Sequence, residues 1–335
     1  MRRPDPPAIV QDLSERELIA RLERCLPPRP NWAIVGIGDD AAVLEPERNH
    51  FEVLSVDALV EGVHFDRGFT PPDAIGHRAL AVNLSDLAAM GASPRAALLS
   101  FVLPDTLAVD DFDQMVDGLT KLAAEHRVYI AGGNLTRSPG PLVLDITVMG
   151  TSKPRRVLTR RGARPGDEVF VTGSVGAAAA GLQMLRSGAT GDNACVRRYL
   201  YPEPRLRAGL LLARNRAAAA CIDLSDGLAD GVHQLGAMNG VGIAVEASAI
   251  PVEPCAHQWF ESHGTDALLS AVTGGDDYEL LFAVRPRRTR LAAGLQRDVP
   301  FTRIGVVTAN PEVVLRDADG CERPFPHGYR HFRQG

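Results

Sequence analysis

Apolar residues return along the chain at two spacings, and the switches between them mark out its elements. Leu18, Ile19, Leu22 and Leu26 recur at helical spacing behind Ser14-Glu15-Arg16-Glu17, a capping box for a helix start. Pro27-Pro28 ends that helix. Residues 33–44 and 51–57 read as strands flanking an acidic turn and a polar loop at 45–49. A helix is expected over 73–90, stopping at Gly91, and an apolar strand over 96–103. Phe112, Met115, Val116, Leu119, Leu122 and Ala123 then repeat at i, i+3, i+4, i+7, which gives one buried helix face. Strands follow at 128–131 and, with period-two alternation, at 142–150.

A change in composition interrupts this pattern. Residues 151–167 carry Lys153, Arg155, Arg156, Arg160, Arg161 and Arg164 between the breakers Pro154 and Pro165. The expected domains are therefore 1–150 and 151–335. The second opens with a strand at 168–172, the turn Gly173-Ser174-Val175-Gly176 and an Ala-rich helix. Free amides at such a turn can bind phosphate, although close helix–strand packing explains the glycines equally well. Further strands are expected near 242–247, 278–284, 304–308 and 313–316. Helices and strands intermix throughout, so the fold class is α+β (mixed α/β).

The chain has 335 residues, 45% hydrophobic and 23% charged, as ordinary globular proteins do. A net charge of −5 leaves no electrostatic footprint for nucleic acid, and no run approaches the ~20 apolar residues of a membrane span. Lys occurs only at 121 and 153, neither of them in a Gly-x-x-x-x-Gly-Lys stretch, so a phosphate-loop lysine is excluded. The cysteines at 25, 195, 221, 255 and 321 are odd in number and widely spaced. They are expected to be buried free thiols in a reducing, cytoplasmic compartment.

Four acidic motifs stand out. The first half holds Gly38-Asp39-Asp40 and Leu84-Ser85-Asp86; the second holds Leu224-Ser225-Asp226 and Gly275-Asp276-Asp277. Singly, each is an ordinary turn or helix cap. Together they point to an acidic cleft shared by the halves. Carboxylates and hydroxyls without a Cys/His cluster select hard cations such as Mg²⁺, Mn²⁺ or Ca²⁺. With several arginines nearby, the inventory suits phosphoryl transfer from a Mg-nucleotide. No Gly-x-Ser-x-Gly elbow is present, and Gly36-Ile37-Gly38 lacks the third glycine of a dinucleotide fingerprint.

At this point the residues resemble a known family, the thiamine-monophosphate kinases of the aminoimidazole-ribotide-synthetase-like superfamily. The stretches that carry the likeness are GIGDDAAVL (36–44), SVDALVEGVHF (55–65), AVNLSDLAAMGASP (81–94), GGNLTR (132–137), LTRRGARPGD (158–167), DLSDGL (223–228) and TGGDDYELLF (273–282). The resemblance implies ATP-dependent phosphorylation of thiamine monophosphate to thiamine diphosphate. It implies a two-domain fold, a dimerising N-terminal sheet domain with helices and a C-terminal α/β sandwich domain. It also implies a homodimer, and several Mg²⁺ ions per site with ATP as co-substrate. Metal-binding roles then fall on Asp40, Ser55, Asp57, Asp86, Asn134, Asp223 and Asp226. Nucleotide contacts fall on Gly133, Arg160 and Ser225, and substrate contacts on His64, Asp276 and Tyr329. No covalent nucleophile or general base is implied.

The chain departs from the family pattern in three places. Asn134 stands where an Asp is usual, Val56 where a hydroxyl residue is usual, and Asp276 where Glu is usual. The alternatives are another ATP-using ligase or cyclase of the superfamily, and a silent nucleotide-binding relative for which Asn134 is the one hint.

Overall fold

The computed structural model describes residues 8–189, 193–297 and 299–328, with 290–292 by backbone alone. The chain forms two compact units. One comprises Met1–Asn83 and Pro94–Thr151, the other Leu84–Ser93 and Ser152–Gly335.

The first unit contains α1 (Glu15–Arg24), β1 (Ala33–Val35), β2 (Val43–Leu44), β3 (Phe51–Val60), the start of α2 (Pro72–Ala89), β4 (Ser93–Pro104), α3 (Val109–His126), β5 (Tyr129–Ser138) and β6 (Val143–Ser152). The capping box forms as the spacing predicts: the Ser14 amide donates to Glu17 Oε2 at 2.7 Å and the Glu17 amide to Ser14 Oγ at 3.4 Å. β1 and β2 pair antiparallel around the acidic turn. The remaining strands form a sheet in the order β3-β6-β4-β5, with β4 and β5 parallel. The predicted apolar face of α3 is buried, from Phe112 to Ala123. Helices α2 and α3 cross backbone to backbone: a Cβ on Gly76 would lie 1.8 Å from the Met115 carbonyl oxygen, and one on Gly118 would lie 1.9 Å from that of Asp73. Both positions therefore require glycine.

The second unit contains the end of α2, then β7 (Glu168–Thr172), α4 (Ala177–Arg186), α5 (Ala194–Leu200), α6 (Leu206–Asn215), β8 (Ala218–Asp223), α7 (Gly227–Asn239), β9 (Gly242–Glu246), α8 (Pro254–Ser262), α9 (Ala267–Thr273), β10 (Leu280–Val284), α10 (Thr289–Leu295), β11 (Phe301–Thr308), β12 (Val313–Arg316) and β13 (Glu322–Pro324). Its seven strands run in the order β13-β12-β9-β11-β7-β10-β8. Among the described strands of this sheet, only β12 and β9 pair in parallel. Strand β10 is buried at every position, which explains its unbroken apolar sequence Leu-Leu-Phe-Ala-Val. Phe170, Phe282 and Phe301 pack ring on ring across β7, β10 and β11, with centroids 5.3–5.6 Å apart.

The cysteines differ from the expectation of buried free thiols. Cys195 at the start of α5 is bonded to Cys255 on α8. Cys25 and Cys321 are free but exposed, and Cys221 alone is both free and buried. No local spacing could announce the bond, because packing of α4 against both α5 and α8 brings these two residues together.

Candidate active site

The acidic motifs of the second unit converge. Strand β8 ends at Asp223, whose carboxylate is buried and accepts a 2.8 Å hydrogen bond from Ser85 Oγ. Burial pushes the Asp223 carboxyl up to about 6, and the charge of Asp86 adds to the rise. The Ser85 hydroxyl and the positive charge of Arg160 oppose it.

The turn after Asp223 is bound to the Gly-Gly-Asp-Asp loop by main-chain hydrogen bonds. The Asp276 amide donates to the Ser225 carbonyl at 2.7 Å and the Tyr278 amide to that of Leu224 at 3.0 Å. In return, the Leu224 amide donates to the Glu279 carbonyl at 2.8 Å. Two segments some fifty residues apart thus form one surface, with Ser225 exposed and Asp226 and Asp276 half-buried. Gly227 makes the approach possible: its φ is +88°, and a Cβ there would lie 2.0 Å from the Gly274 carbonyl oxygen. Asp276 and Tyr278 both hold positive φ, +67° and +50°, and the Tyr278 hydroxyl donates to Asp276 Oδ1 at 3.0 Å. Left-handed backbone at two non-glycine residues is strain of the kind that clusters at binding sites.

The neighbouring acid turns the other way. Asp277 is buried at the start of α4, where it accepts from the Gly176 amide at 2.8 Å and the Ala178 amide at 3.4 Å. Amides of the glycine turn that a phosphate would need are therefore held by a carboxylate of the chain itself. Glu279, which the sequence reading did not single out, is fully buried. Thr172 Oγ1, Arg198 and Arg205 all donate to its carboxylate, at 2.6–2.7 Å. Its burial inside an otherwise apolar strand entry, with arginines far away in sequence, left no local signal.

In the first unit, Asp39 and Asp40 are exposed on the turn between β1 and β2, and the Asp40 amide donates to Asp39 Oδ1 at 3.0 Å. Asp39 thus braces the turn. Ser55 and Asp57 lie two apart on β3, so their side chains share a face. The Asp57 amide donates to Asn83 Oδ1 at 3.0 Å, which ties the strand motif to buried Asn83 on α2. Half-buried His64 accepts the Val60 amide at Nδ1, 3.0 Å away, which places the proton of the neutral ring on Nε2. Gly133 and Asn134 are exposed on β5, opposite Leu99 and Ser100 of β4. Tyr329 lies outside the described residues.

Among the described residues no three Asp, Glu, His or Cys side chains are gathered closely enough to hold a metal by themselves. The donor set of the second unit nevertheless fits a hard cation. Asp223 and Asp86 repel each other in a buried setting, and a cation would relieve that cost. Mg²⁺ binds one or two carboxylates and fills its shell with water and substrate phosphates.

Known proteins share this framework. Residues 38–152 match the family described as AIR synthase related protein, N-terminal domain, and residues 164–318 match its C-terminal domain. The chain is 38% identical to the thiamine-monophosphate kinase of Salmonella typhimurium over 308 residues, 89% of this chain and 91% of that one. It is 36% identical to that of Synechococcus elongatus over 335 residues, 96% and 98% of the two chains. Among solved structures, the thiamine-monophosphate kinase of Stenotrophomonas maltophilia K279a superposes with a TM-score of 0.81 at 36% identity, covering 92% of this chain and 97% of that one. AaThiL complexed with AMPPCP and TMP superposes at 0.76 with 30% identity, covering 97% and 99%. The hydrogenase maturation protein HypE of E. coli reaches 0.76 at 21% identity, covering 94% and 98%, which is a likeness of fold.

Proposed function

The chain belongs to the AIR synthase related proteins and, among them, to the thiamine-monophosphate kinases, and from that premise we propose how its residues perform the transfer. The enzyme phosphorylates thiamine monophosphate with ATP, giving thiamine diphosphate. The observation that carries the assignment of residues is the union of the 223–226 turn with the 274–278 loop around buried Asp223.

The acceptor is itself a phosphate with a second pKa of about 6, so near neutral pH it is largely ionised. No side chain has to remove a proton. The obstacle is repulsion between two polyanions, and the residues act by positioning and charge neutralisation. Asp86, Asp223 and Asp226, and in the first unit Asp40, Ser55, Asp57 and Asn134, would hold Mg²⁺. When bound, the cation supplies neutralisation of phosphate charge. Arg160, Gly133 and Ser225 contact the nucleotide. His64, with Nε2 carrying the proton, and Asp276, on its strained turn, contact thiamine monophosphate, together with Tyr329. The buried Glu279 pair with Arg198 and Arg205 fixes the strand from which this turn emerges.

Two further parts of the reading concern assembly and location. A homodimer is supported by strand β3, at the edge of its sheet, where Phe51, Leu54 and Val56 are 56%, 66% and 57% exposed. No described helix is long and apolar enough to cross a membrane, and a cytoplasmic location suits an ATP-consuming enzyme.

The test is incubation with ATP, Mg²⁺ and thiamine monophosphate, followed by chromatography for thiamine diphosphate. Product supports the kinase. ATP bound without turnover would instead support the silent relative.

A further inference from the structure

Arg160 sits on the irregular segment between β6 and β7 and is exposed. A long exposed arginine on a loop samples many rotamers, and ordering it at the moment of binding would weaken the complex. Helix α7 orders it beforehand. The guanidinium Nη1 donates to Gln234 Oε1 at 2.7 Å. The amide nitrogen of Gln234 donates in turn to Asp230, one turn earlier on the helix, and this requires the amide oxygen to face Arg160.

The main chain of Arg160 is held just as firmly. Asn239 Nδ2 donates to the Arg160 carbonyl at 2.8 Å, and Asn239 Oδ1 accepts from the Gly162 amide at 2.6 Å and the Ala163 amide at 3.1 Å. A second Asn239 bond, to the Leu235 carbonyl at 2.8 Å, locks that side chain to its own helix. Arg285 closes the far side of the loop with a 2.6 Å bond to the Gly162 carbonyl. Both ends of Arg160 are thus gripped by the helix whose first turn follows Asp226.

We infer that Gln234 and Asn239 are positioning residues of the kinase site, which preset the Arg160 guanidinium for the phosphates of ATP. The inference rests on the reading of Arg160 as a nucleotide contact. Neither amide has to touch the nucleotide. Each acts through the arginine, one on its charge and the other on its backbone. Placing both on α7 couples the aim of the cation to the acidic loop at the same helix's start.

The experiment compares Arg160→Ala, Gln234→Met, Gln234→Glu and Asn239→Ala in steady-state assays, with the melting temperature measured for each. Gln234→Met and Asn239→Ala are expected to raise KM for ATP about fivefold, with KM for thiamine monophosphate changed less than about twofold. Gln234→Glu keeps an acceptor for Arg160 but loses the donor to Asp230 and sets two carboxylates together, so it should recover only part of the loss. If Arg160→Ala raises KM for ATP while Gln234→Met and Asn239→Ala leave it unchanged, the inference falls and the Arg160 assignment stands. If Arg160→Ala itself leaves KM for ATP unchanged, both fall together. A loss of melting temperature with both KM values unmoved shows a purely structural role and also overturns the inference.

Discussion

Ser85 Oγ donates a 2.8 Å hydrogen bond to Asp223 Oδ2 across 138 residues of sequence. The bond joins the end of α2 to the end of β8 within one unit, and it supports a carboxylate that burial and Asp86 both push toward protonation. Asp223→Asn keeps the size and one acceptor but removes the charge that a cation needs. Mg-dependent turnover should fall by about a hundredfold or more, with the circular dichroism spectrum unchanged. Ser85→Ala should cost about fivefold, because the carboxylate stays. Near-wild-type kcat in Asp223→Asn would remove this residue from the site.

On the resemblance drawn from the sequence, Asn134 puts an amide where a carboxylate is usual. An amide oxygen can ligate Mg²⁺ but brings no charge. Asn134→Asp should therefore lower the Mg²⁺ concentration for half-maximal activity several-fold, read from a titration at saturating ATP. An unchanged titration would show that β5 does not reach the metal.

Much of this was legible in the sequence, and unevenly. The α3 periodicity predicted its buried face, and the Ser14–Glu17 capping box formed as spelled. Asp-Asp pairs marked the turns but could not say which acid faces inward. Asp277 is the buried one and Asp276 the half-buried one, because the backbone turns over at a positive φ that side-chain types do not announce. Glu279, Gln234 and Asn239 were passed over for a related reason. Their partners Arg198, Arg205 and Arg160 lie 74–81 residues away. A polar residue inside an apolar run then looks like noise until the fold supplies its counterpart.

Glu279 answers two arginines from inside the core of the second unit. Arg205, whose burial alone would depress its pKa, is instead raised by its hydrogen bonds and attraction to Glu279. Glu279→Gln removes the buried partner of both guanidiniums and leaves Arg205 only Glu203, which is expected to cost on the order of 2–3 kcal/mol. Urea unfolding monitored at β10-proximal fluorescence probes or by circular dichroism measures it. A midpoint shift too small for 1 kcal/mol would show that the pair contributes little.

Asp277 gives the fold a pH dependence whose sign follows from its burial. Burial pushes its carboxyl from the ordinary 3.8 up to about 7, and Glu279 adds to the rise. The Gly176 and Ala178 amides and Arg198 oppose it. The folded state therefore binds the proton more tightly than the unfolded chain. That contribution to stability is complete below about pH 4 and lost as pH rises toward 7, by at most about 1.4 kcal/mol per pH unit. Asp277→Asn, whose amide oxygen can still accept from Gly176, should flatten the stability profile between pH 5 and 7. Parallel profiles for variant and wild type in urea titrations at pH 5, 6, 7 and 8 would exclude Asp277 as the titrating group.

The Cys195–Cys255 bond spans 60 residues and joins α5 to α8. Closing a loop of that length restricts the unfolded chain and stabilises a fold by roughly 2–4 kcal/mol. In a reducing compartment both residues would be thiols, so activity has to survive without the bond. The surrounding packing makes this physically reasonable. Val196, Tyr199, Ala256 and Phe260 are buried on the two helices that carry the pair, and Arg198 reaches Glu279 through its own hydrogen bond. Treatment with a dithiol should lower the melting temperature by roughly 3–6 °C and leave kcat at 25 °C unchanged. The Cys195→Ala, Cys255→Ala double variant should melt at the same temperature with or without the dithiol. Maleimide labelling of the denatured protein must count two more thiols after reduction, and a constant count would show that the bond does not form.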